Sequence, residues 1–227
     1  MLELRGLTAG YGSVQVLWDA ALSVKRAEVV CLVGRNGVGK STTLKSVVGL
    51  ADVVSGDIVI GDTAIRKPDT SRVAHLGVGY VAQQREICPD LTVEENLLLS
   101  LFGTGKSRNA LDKVYEQFPR LRERARQRAG SLSGGERKIL AFARIMLLEP
   151  SLYLVDEPTE GLMPQAVAEI CELIRRLRSS GAAVLLVEQN LDVVRSLSDR
   201  IYLMTTGRIE ACVEKLDDEL TNKYLGV

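Results

Sequence analysis

The chain has 227 residues, with 29 basic and 29 acidic side chains, so its formal net charge is zero and no general attraction to nucleic acid or anionic lipid is expected. Hydrophobic residues make up 46% of the chain, which is typical of a globular protein with a full core. The four cysteines form no Cys-x-x-Cys pair, and no long apolar run interrupts the sequence, so a zinc site, a disulfide framework and a membrane span are not expected.

The first strands are predicted in the N-terminal thirty residues and again some thirty residues later. Leu2 and Leu4 alternate with polar neighbours, Gly10-Tyr11-Gly12 predicts a turn, and residues 22–24 alternate again. Residues 55–62 read as a further strand between two turns. Together these segments predict an N-terminal antiparallel β subdomain.

A glycine-rich loop lies between a predicted strand at Glu28 to Val33 and a predicted helix at Thr42 to Val48. Strand, loop and helix are the context that a phosphate-binding loop requires. In such a loop the backbone N–H groups surround the phosphates, the lysine reaches the terminal phosphate and the serine hydroxyl coordinates magnesium. The predicted nucleotide-binding residues of this loop are Gly34, Arg35, Asn36, Gly37, Val38, Gly39, Lys40, Ser41 and Thr42.

A helical region follows the predicted strand at Val78 to Val81, because apolar residues recur at helical spacing between Thr92 and Leu148. We therefore expect one domain over residues 1–227, with a helical insertion at about 87–150. Within the insertion, Ser133-Gly134-Gly135-Glu136 matches the capping box of a helix start. A capped helix start with bare glycines also suits an anion, so both roles remain open here.

Apolar strands and amphipathic helices alternate in the last third of the chain. Leu152 to Val155 ends at Asp156-Glu157, Pro164 begins a helix, and Ala183 to Val187 ends at Glu188-Gln189-Asn190. This alternation predicts an α/β fold whose mainly parallel sheet is covered on both faces. Ligands bind at the carboxyl ends of such strands, where these polar clusters lie.

Asp156 and Glu157 suit phosphoryl transfer at this edge of the sheet. The aspartate can hold the magnesium ion, and the glutamate can orient the attacking water and accept its proton. The alternative is a pair of helix-capping carboxylates before Pro158.

The ordered motifs make the chain resemble the ATP-binding subunit of ABC transporters over essentially its whole length. The resemblance implies a phosphate-loop core of the RecA type, ATP and Mg²⁺ as ligands, and an ATPase activity. It implies that Leu132 to Glu136 is the signature sequence, whose residues Ser133, Gly134, Gly135 and Glu136 contact ATP held by a second subunit. It further implies that Gln83, or its neighbour Gln84, is a magnesium ligand, that Tyr11 stacks on adenine, and that residues 160–162 cross the dimer interface.

Two positions depart from the family pattern. The signature ends in Glu136 where the family usually has glutamine, and Gln189 stands where the family has a switch histidine. Glutamine can hydrogen-bond the terminal phosphate but cannot carry a proton. The only histidine, His75, precedes a different strand and reads as an ordinary residue.

Three segments together resemble one of the two ATPases of branched-chain amino-acid importers: Glu160-Gly161-Leu162, Leu132 to Glu136, and Val187-Glu188-Gln189-Asn190. The ATPases of urea and short-amide importers are the alternative. A non-transport ABC ATPase acting on DNA or ribosomes is a more distant alternative, since the chain lacks the long coiled coils, zinc modules or tandem ATPase units usual there. The implied partners are a second ATPase subunit, membrane permease subunits and a solute-binding protein, with no nucleic acid. The implied location is the cytoplasmic face of the membrane.

An arginine run remains outside these motifs. It predicts a solvated helix surface or, alternatively, a contact to lipid headgroups or to a membrane-domain loop. Its members are Arg120, Arg122, Arg124, Arg126 and Arg128.

Overall fold

The computed structural model describes residues 1–84 and 87–225. The strands in these ranges are β1 (Leu2–Tyr11), β2 (Val14–Val24), β3 (Val29–Val33), β4 (Asp52–Ile60), β5 (Thr63–Ile65), β6 (Val78–Val81), β7 (Leu152–Asp156), β8 (Ala183–Val187), β9 (Arg200–Thr205) and β10 (Arg208–Val213). The helices are α1 (Lys40–Val47), α2 (Thr70–His75), α3 (Val93–Leu101), α4 (Ala110–Gln117), α5 (Pro119–Glu123), α6 (Gly134–Met146), α7 (Pro164–Ser179), α8 (Leu191–Leu197) and α9 (Asp218–Leu225).

A six-stranded sheet in the order β10-β9-β3-β8-β7-β6 forms the centre of the molecule. Strands β9, β3, β8, β7 and β6 pair in parallel, while β10 pairs antiparallel with β9. Every residue of β3, β7 and β8 is buried, which explains why these strands are apolar without alternation. The predicted α/β fold is confirmed, and the carboxyl ends of β3, β8, β7 and β6 lie along one edge.

Helices cover both faces of this sheet because successive strand residues point to opposite sides. Val30 and Leu32 of β3 join the apolar cluster that contains Leu44 of α1. Cys31 and Val33 join the cluster on the other face. Helix α7 lies against this second face through Ile170, Leu173, Ile174 and Leu177.

The N-terminal strands form a separate antiparallel sheet in the order β2-β1-β4-β5. The turn predicted at Gly10-Tyr11-Gly12 is displaced: β1 continues through Tyr11, which pairs with Val14, and the turn lies at residues 12–13. The reason is the second neighbour of β1, since Gly10 pairs with Asp52 of β4 as well as with β2. The Asp52 carboxylate also accepts a hydrogen bond from the Gly12 N–H at 2.8 Å.

Helices α3 to α6 lie between β6 and β7 in the chain and have an apolar cluster of their own. Val93, Leu97, Val114, Leu121 and Leu140 are among its members. A capping box of Thr92 and Glu95 begins α3. No helix in the part of the chain that the structure describes has both the length and the apolar character needed to cross a membrane.

Candidate functional site: a phosphate loop at the sheet edge

The glycine-rich loop connects β3 to α1 and depends on glycine at two positions. A Cβ atom added to Gly34 would lie 2.3 Å from the backbone oxygen of Met204, so any side chain there would collide with β9. Gly39 has φ +112° and caps α1 without a side-chain hydrogen bond. The first N–H groups of α1 therefore have no side-chain cap and suit an anion.

The Lys40 side chain lies along this loop and is almost fully buried. Its Nζ donates hydrogen bonds to the backbone oxygens of Gly34 and Arg35, at 2.9 and 3.0 Å. The same Nζ lies 3.5 Å from Oε1 of Glu157. The lysine ammonium thus stands between the loop backbone and the carboxylate that follows β7.

Asp156, the last residue of β7, is buried beside the start of α1. Its Oδ1 accepts a hydrogen bond from the Ser41 hydroxyl at 2.9 Å, and its Oδ2 accepts one from the Tyr80 hydroxyl at 3.3 Å. Burial raises the pKa of the Asp156 carboxyl, and the nearby Glu157 charge adds to this, whereas the hydrogen bonds from Ser41 and Tyr80 oppose it. The site therefore holds a carboxylate in surroundings that disfavour its charge.

Glu157 is buried and has a backbone conformation that non-glycine residues rarely adopt, with φ +45°. Its N–H donates to the backbone oxygen of Val187 at 2.9 Å, which fixes it to β8. Its Oε1 accepts from Gln189 Nε2 at 2.6 Å, and its Oε2 accepts from Gln83 Nε2 at 2.9 Å. Strained backbone held by surrounding contacts is typical of active sites.

The structure separates the two glutamines that follow β6. Gln83 faces Glu157 and also donates from Nε2 to Glu160 Oε2 at 2.7 Å, whereas the Gln84 side chain is exposed. Of the two, Gln83 is the one that the described structure places in contact with Glu157.

These side chains surround a cavity of about 300 Å³ at the edge of the sheet. Larger cavities of about 720 and 520 Å³ lie between helices, but they contain neither the glycine loop nor Lys40. The smaller cavity is the candidate phosphate site because backbone N–H groups, a lysine and a carboxylate converge there. Its lining residues are Val16, Asn36, Gly37, Gly39, Lys40, Ser41, Thr42, Gln83, Glu157, Glu160 and Gln189.

Two of the predicted binding elements lie outside this cavity. Tyr11 ends β1, is 42% exposed and is not among the described lining residues, although Val16 of the same hairpin is. None of the described lining residues comes from 133–136. The structure therefore does not bring the two glycine-rich segments together around one cavity of a single chain.

The capping box at Ser133 is confirmed, and it involves the arginine run. The Ser133 hydroxyl accepts from the Glu136 N–H at 3.3 Å, and Glu136 Oε2 accepts from the Ser133 N–H at 3.0 Å. Glu136 Oε1 pairs with Arg124 at 3.1 Å. The Ser133 N–H contact is the strongest of the influences that lower the pKa of Glu136. The start of α6 is thus fixed to the C-terminal end of α5.

Sequence reasoning did not predict three of the side-chain contacts that the structure places at the site, although it assigned Glu160 to the segment that crosses the dimer interface. Tyr80 contacts Asp156, Glu160 contacts Gln83, and Val16 lines the cavity. Tyr80 and Val16 lie inside strands, where a lone side chain gives no signal of the partner that folding brings to it. Glu160 follows Glu157 by three residues, and this spacing was the available signal.

Strand, glycine loop, helix and two carboxylates at the end of a buried strand define a nucleotide-binding protein of the phosphate-loop class. The model of the ABC transporter family matches residues 17–160, which is more than half of the chain. The chain belongs to the ABC transporter family, whose ATP-binding subunits are ATPases.

Individual relatives agree with this assignment. The chain is 42% identical to the high-affinity branched-chain amino acid transport ATP-binding protein BraG of Pseudomonas aeruginosa, over 92% of this chain and 91% of the relative. It is 36% identical to the probable branched-chain amino acid transport ATP-binding protein LivF of Archaeoglobus fulgidus, over 92% and 90%. A solved ATP-binding subunit of an ABC transporter matches with a TM-score of 0.83 and 30% identity, over 100% of this chain and 96% of that one.

Proposed function

We propose that this chain is the ATP-hydrolysing subunit of an importer that takes up branched-chain amino acids through separate membrane subunits. The observation that carries the proposal is the meeting of Lys40, Glu157 and Gln189 in one cavity behind a glycine-rich phosphate loop. The likeness to BraG supports the choice of solute, because that relative is named for high-affinity branched-chain amino acid transport.

The glycine loop binds the phosphates of ATP in this proposal. Its N–H groups and the uncapped start of α1 bind phosphate oxygens, and Lys40 turns from the loop carbonyls toward the terminal phosphate. Tyr11, exposed at the tip of the first hairpin, stacks on adenine. Such a stacking contact contributes about 1–3 kcal/mol to binding.

The residues beside the loop fit a Mg²⁺ ion that arrives with ATP. Ser41 and Asp156 place two oxygen ligands within 2.9 Å of each other, and the amide oxygen of Gln83 is the third. Among the described residues, no group of three or more His, Cys, Asp or Glu side chains could hold a metal. Phosphate and water oxygens normally complete a Mg²⁺ site of this type. When bound, the ion neutralises charge on the phosphates.

Glu157 is the proposed general base of hydrolysis. It orients the attacking water and accepts its proton, while the amides of Gln83 and Gln189 hold the two carboxylate oxygens in place. Gln189 donates a hydrogen bond to the terminal phosphate in place of the family's histidine. Because an amide does not titrate near neutral pH, Gln189 takes no part in proton transfer.

A second ATPase subunit completes the site in this proposal. Residues 133–136 lie outside the chain's own phosphate cavity, and the start of α6 offers glycine N–H groups with a positive helix end to an anion. We propose that they contact the ATP of the partner, and that residues 160–162 lie across the interface. Residues 1–227 then form one nucleotide-binding domain, with the helices of about 87–150 as its signature subdomain.

The transport assignment is tested in the complete complex. Purified with its permease subunits, reconstituted in vesicles and given its solute-binding protein, the chain should hydrolyse ATP faster when leucine, isoleucine or valine is supplied. The peripheral subunit is proposed to face the cytoplasm, so the ATP must be on that side. Stimulation by urea or short amides, and not by these amino acids, would contradict the proposed solute.

Replacing Asp156 with asparagine should weaken magnesium binding without lowering the stability of the nucleotide-free chain. The raised pKa means that the folded chain holds this proton more tightly than the unfolded chain. The protonated Asp156 side chain therefore contributes most to stability below the ordinary aspartate pKa, and this contribution falls as pH rises through the pKa of the folded chain. At pH 7 the neutral amide should leave the nucleotide-free unfolding temperature unchanged or a few degrees higher. The difference in unfolding temperature between the variant and the wild type should shrink as pH falls toward about 4.

Thermal unfolding with and without MgATP measures both effects. The wild type should gain stability with MgATP, and the Asp156→Asn chain should gain much less, because one ion ligand has lost its charge. If the variant is less stable without nucleotide, yet gains as much stability as wild type with MgATP, Asp156 is not a ligand of the metal.

Replacing Gln189 with histidine should make turnover depend on pH. Gln189 Nε2 lies 2.6 Å from Glu157 Oε1, so a histidine at this position would titrate beside the proposed base. We expect the variant's kcat to show a transition between about pH 5.5 and 8 that the wild type lacks. If kcat and its pH profile are the same in both chains, Gln189 has no role at the phosphate.

A further inference from the structure

A buried carboxylate outside the proposed reaction lies beside the site. Glu188 follows β8, and its side chain is 2% exposed. Its Oε1 accepts hydrogen bonds from both the N–H and the hydroxyl of Thr159, the former at 3.2 Å. Its Oε2 accepts from the N–H groups of Gln189 and Asn190, at 2.6 and 2.9 Å. Both oxygens thus act only as acceptors, which a carboxylate can do and an amide cannot.

The four donors belong to two different loops. Thr159 lies two residues after Glu157, in the loop that leaves β7, whereas Gln189 and Asn190 lie in the loop that leaves β8. Glu188 therefore connects the two loops that carry the proposed base and the proposed phosphate contact. The connection is buried, so water does not compete for these hydrogen bonds.

The connection acts on a strained piece of backbone. Glu157 has φ +45°, and its N–H is bonded to Val187 at 2.9 Å. On the far side of Pro158, the next fixed point is the pair of Thr159 hydrogen bonds to Glu188. A residue in this conformation persists only when the surrounding structure holds it. The geometry of Glu157 thus depends on Glu188 through the backbone as well as on Gln189 through the side chain.

We propose that Glu188 is a positioning residue for hydrolysis, and this inference rests on the proposed function. Its carboxylate holds the loop of Thr159 against the loop of Gln189, and so keeps Glu157 Oε1 and Gln189 Nε2 at hydrogen-bond distance. Loss of the connection lets the two loops separate and lowers the rate of the chemical step. ATP affinity should change little, because the main phosphate contacts come from the glycine loop and Lys40, and the Lys40 side chain bonds to Gly34, Arg35 and Glu157 in the described structure.

The test compares three variants of the full chain under conditions where wild type hydrolyses ATP. Glu188→Gln keeps the shape but faces a donor toward N–H groups, so kcat should fall about tenfold or more. Thr159→Val removes the hydroxyl at nearly constant volume, and kcat should fall several-fold. Thr159→Ser is the matched control because it keeps the hydroxyl, and its kcat should stay within about twofold of wild type. The dissociation constant for ATP should stay within about twofold throughout.

Combining Glu188→Gln with Thr159→Val should lower kcat little beyond Glu188→Gln alone, because both changes break the same connection.

Unchanged kcat in Glu188→Gln and Thr159→Val would overturn the inference, as would a loss of ATP affinity equal to the loss of kcat. If Glu188→Gln does not fold, the Thr159 variants decide: equal kcat in valine and serine variants overturns it. A wild type that hydrolyses no ATP overturns the proposed function and this inference together. Hydrolysis lost only in Glu157→Gln overturns this inference alone.

Discussion

Glu157→Gln should lower ATP turnover by about 10²–10⁴-fold, the range expected when a general base is removed. The amide keeps the size of the side chain but cannot accept the proton of the attacking water. Lys40 and the glycine loop remain in place, so ATP still binds and is no longer consumed. We therefore expect the variant to accumulate as an ATP-bound dimer, visible by gel filtration with MgATP.

A matched change of charge away from the site controls for this prediction. Glu172 lies exposed on α7 and pairs only with surface arginines in the described structure, so Glu172→Gln should leave kcat and oligomeric state unchanged. Comparing Glu157→Gln with Glu172→Gln thus separates the effect of losing the carboxylate at position 157 from the effect of losing any one negative charge. If Glu157→Gln is only monomeric with MgATP, the two-chain arrangement of the nucleotide site is wrong.

Ser133→Arg should abolish hydrolysis without weakening ATP binding to the same chain. The substitution removes the hydroxyl that caps α6 and places a long side chain beside Gly134 and Gly135, where the partner's ATP is proposed to lie. The capping loss alone destabilises the helix by about 1 kcal/mol. The ATP dissociation constant of the isolated chain should stay within about twofold, because residues 133–136 do not line its phosphate cavity.

Ser133→Ala separates the two effects of this substitution. It removes the cap at the same position but leaves the glycines accessible, so it should lower the unfolding temperature slightly and retain most of the activity. Equal losses of activity in the alanine and arginine variants would mean that residues 133–136 act only as a helix cap. A loss of ATP affinity in the isolated Ser133→Arg chain would place the segment at the chain's own nucleotide.

The sequence predicted those parts of the fold whose signals are local. The strand before the glycine loop, the apolar run of β8 and the Pro164 start of α7 each follow from a few adjacent residues, and the structure has them within one or two positions. The end of β1 was missed because Gly10, in the predicted turn, pairs with Asp52 of β4, far away in the chain, and Tyr11 then pairs with Val14 of β2. Strands β9 and β10 were not predicted, and they complete the edge of the sheet beside β3.

The residues of the candidate site likewise fall into those with a local sequence signal and those without one. Lys40, Ser41, Asp156 and Glu157 stand in motifs whose spacing carries the chemistry, and the structure brings them together. Tyr80 reaches Asp156 from a neighbouring strand, and Glu188 reaches Thr159 across twenty-nine positions. Such contacts depend on which strands become neighbours, and that order is set by packing of the whole sheet rather than by any short segment.

The central claim is that each ATP lies between the phosphate loop of one chain and residues 133–136 of another. It is tested most directly by mixing two inactive variants, Glu157→Gln and Ser133→Arg, and measuring ATP hydrolysis. In a mixed dimer, one site combines the intact loop and Glu157 of one chain with the intact Ser133 of the other. Activity should return to about a quarter of wild type, since about half of the dimers are mixed and each has one intact site. A mixture no more active than its separate components would contradict the claim.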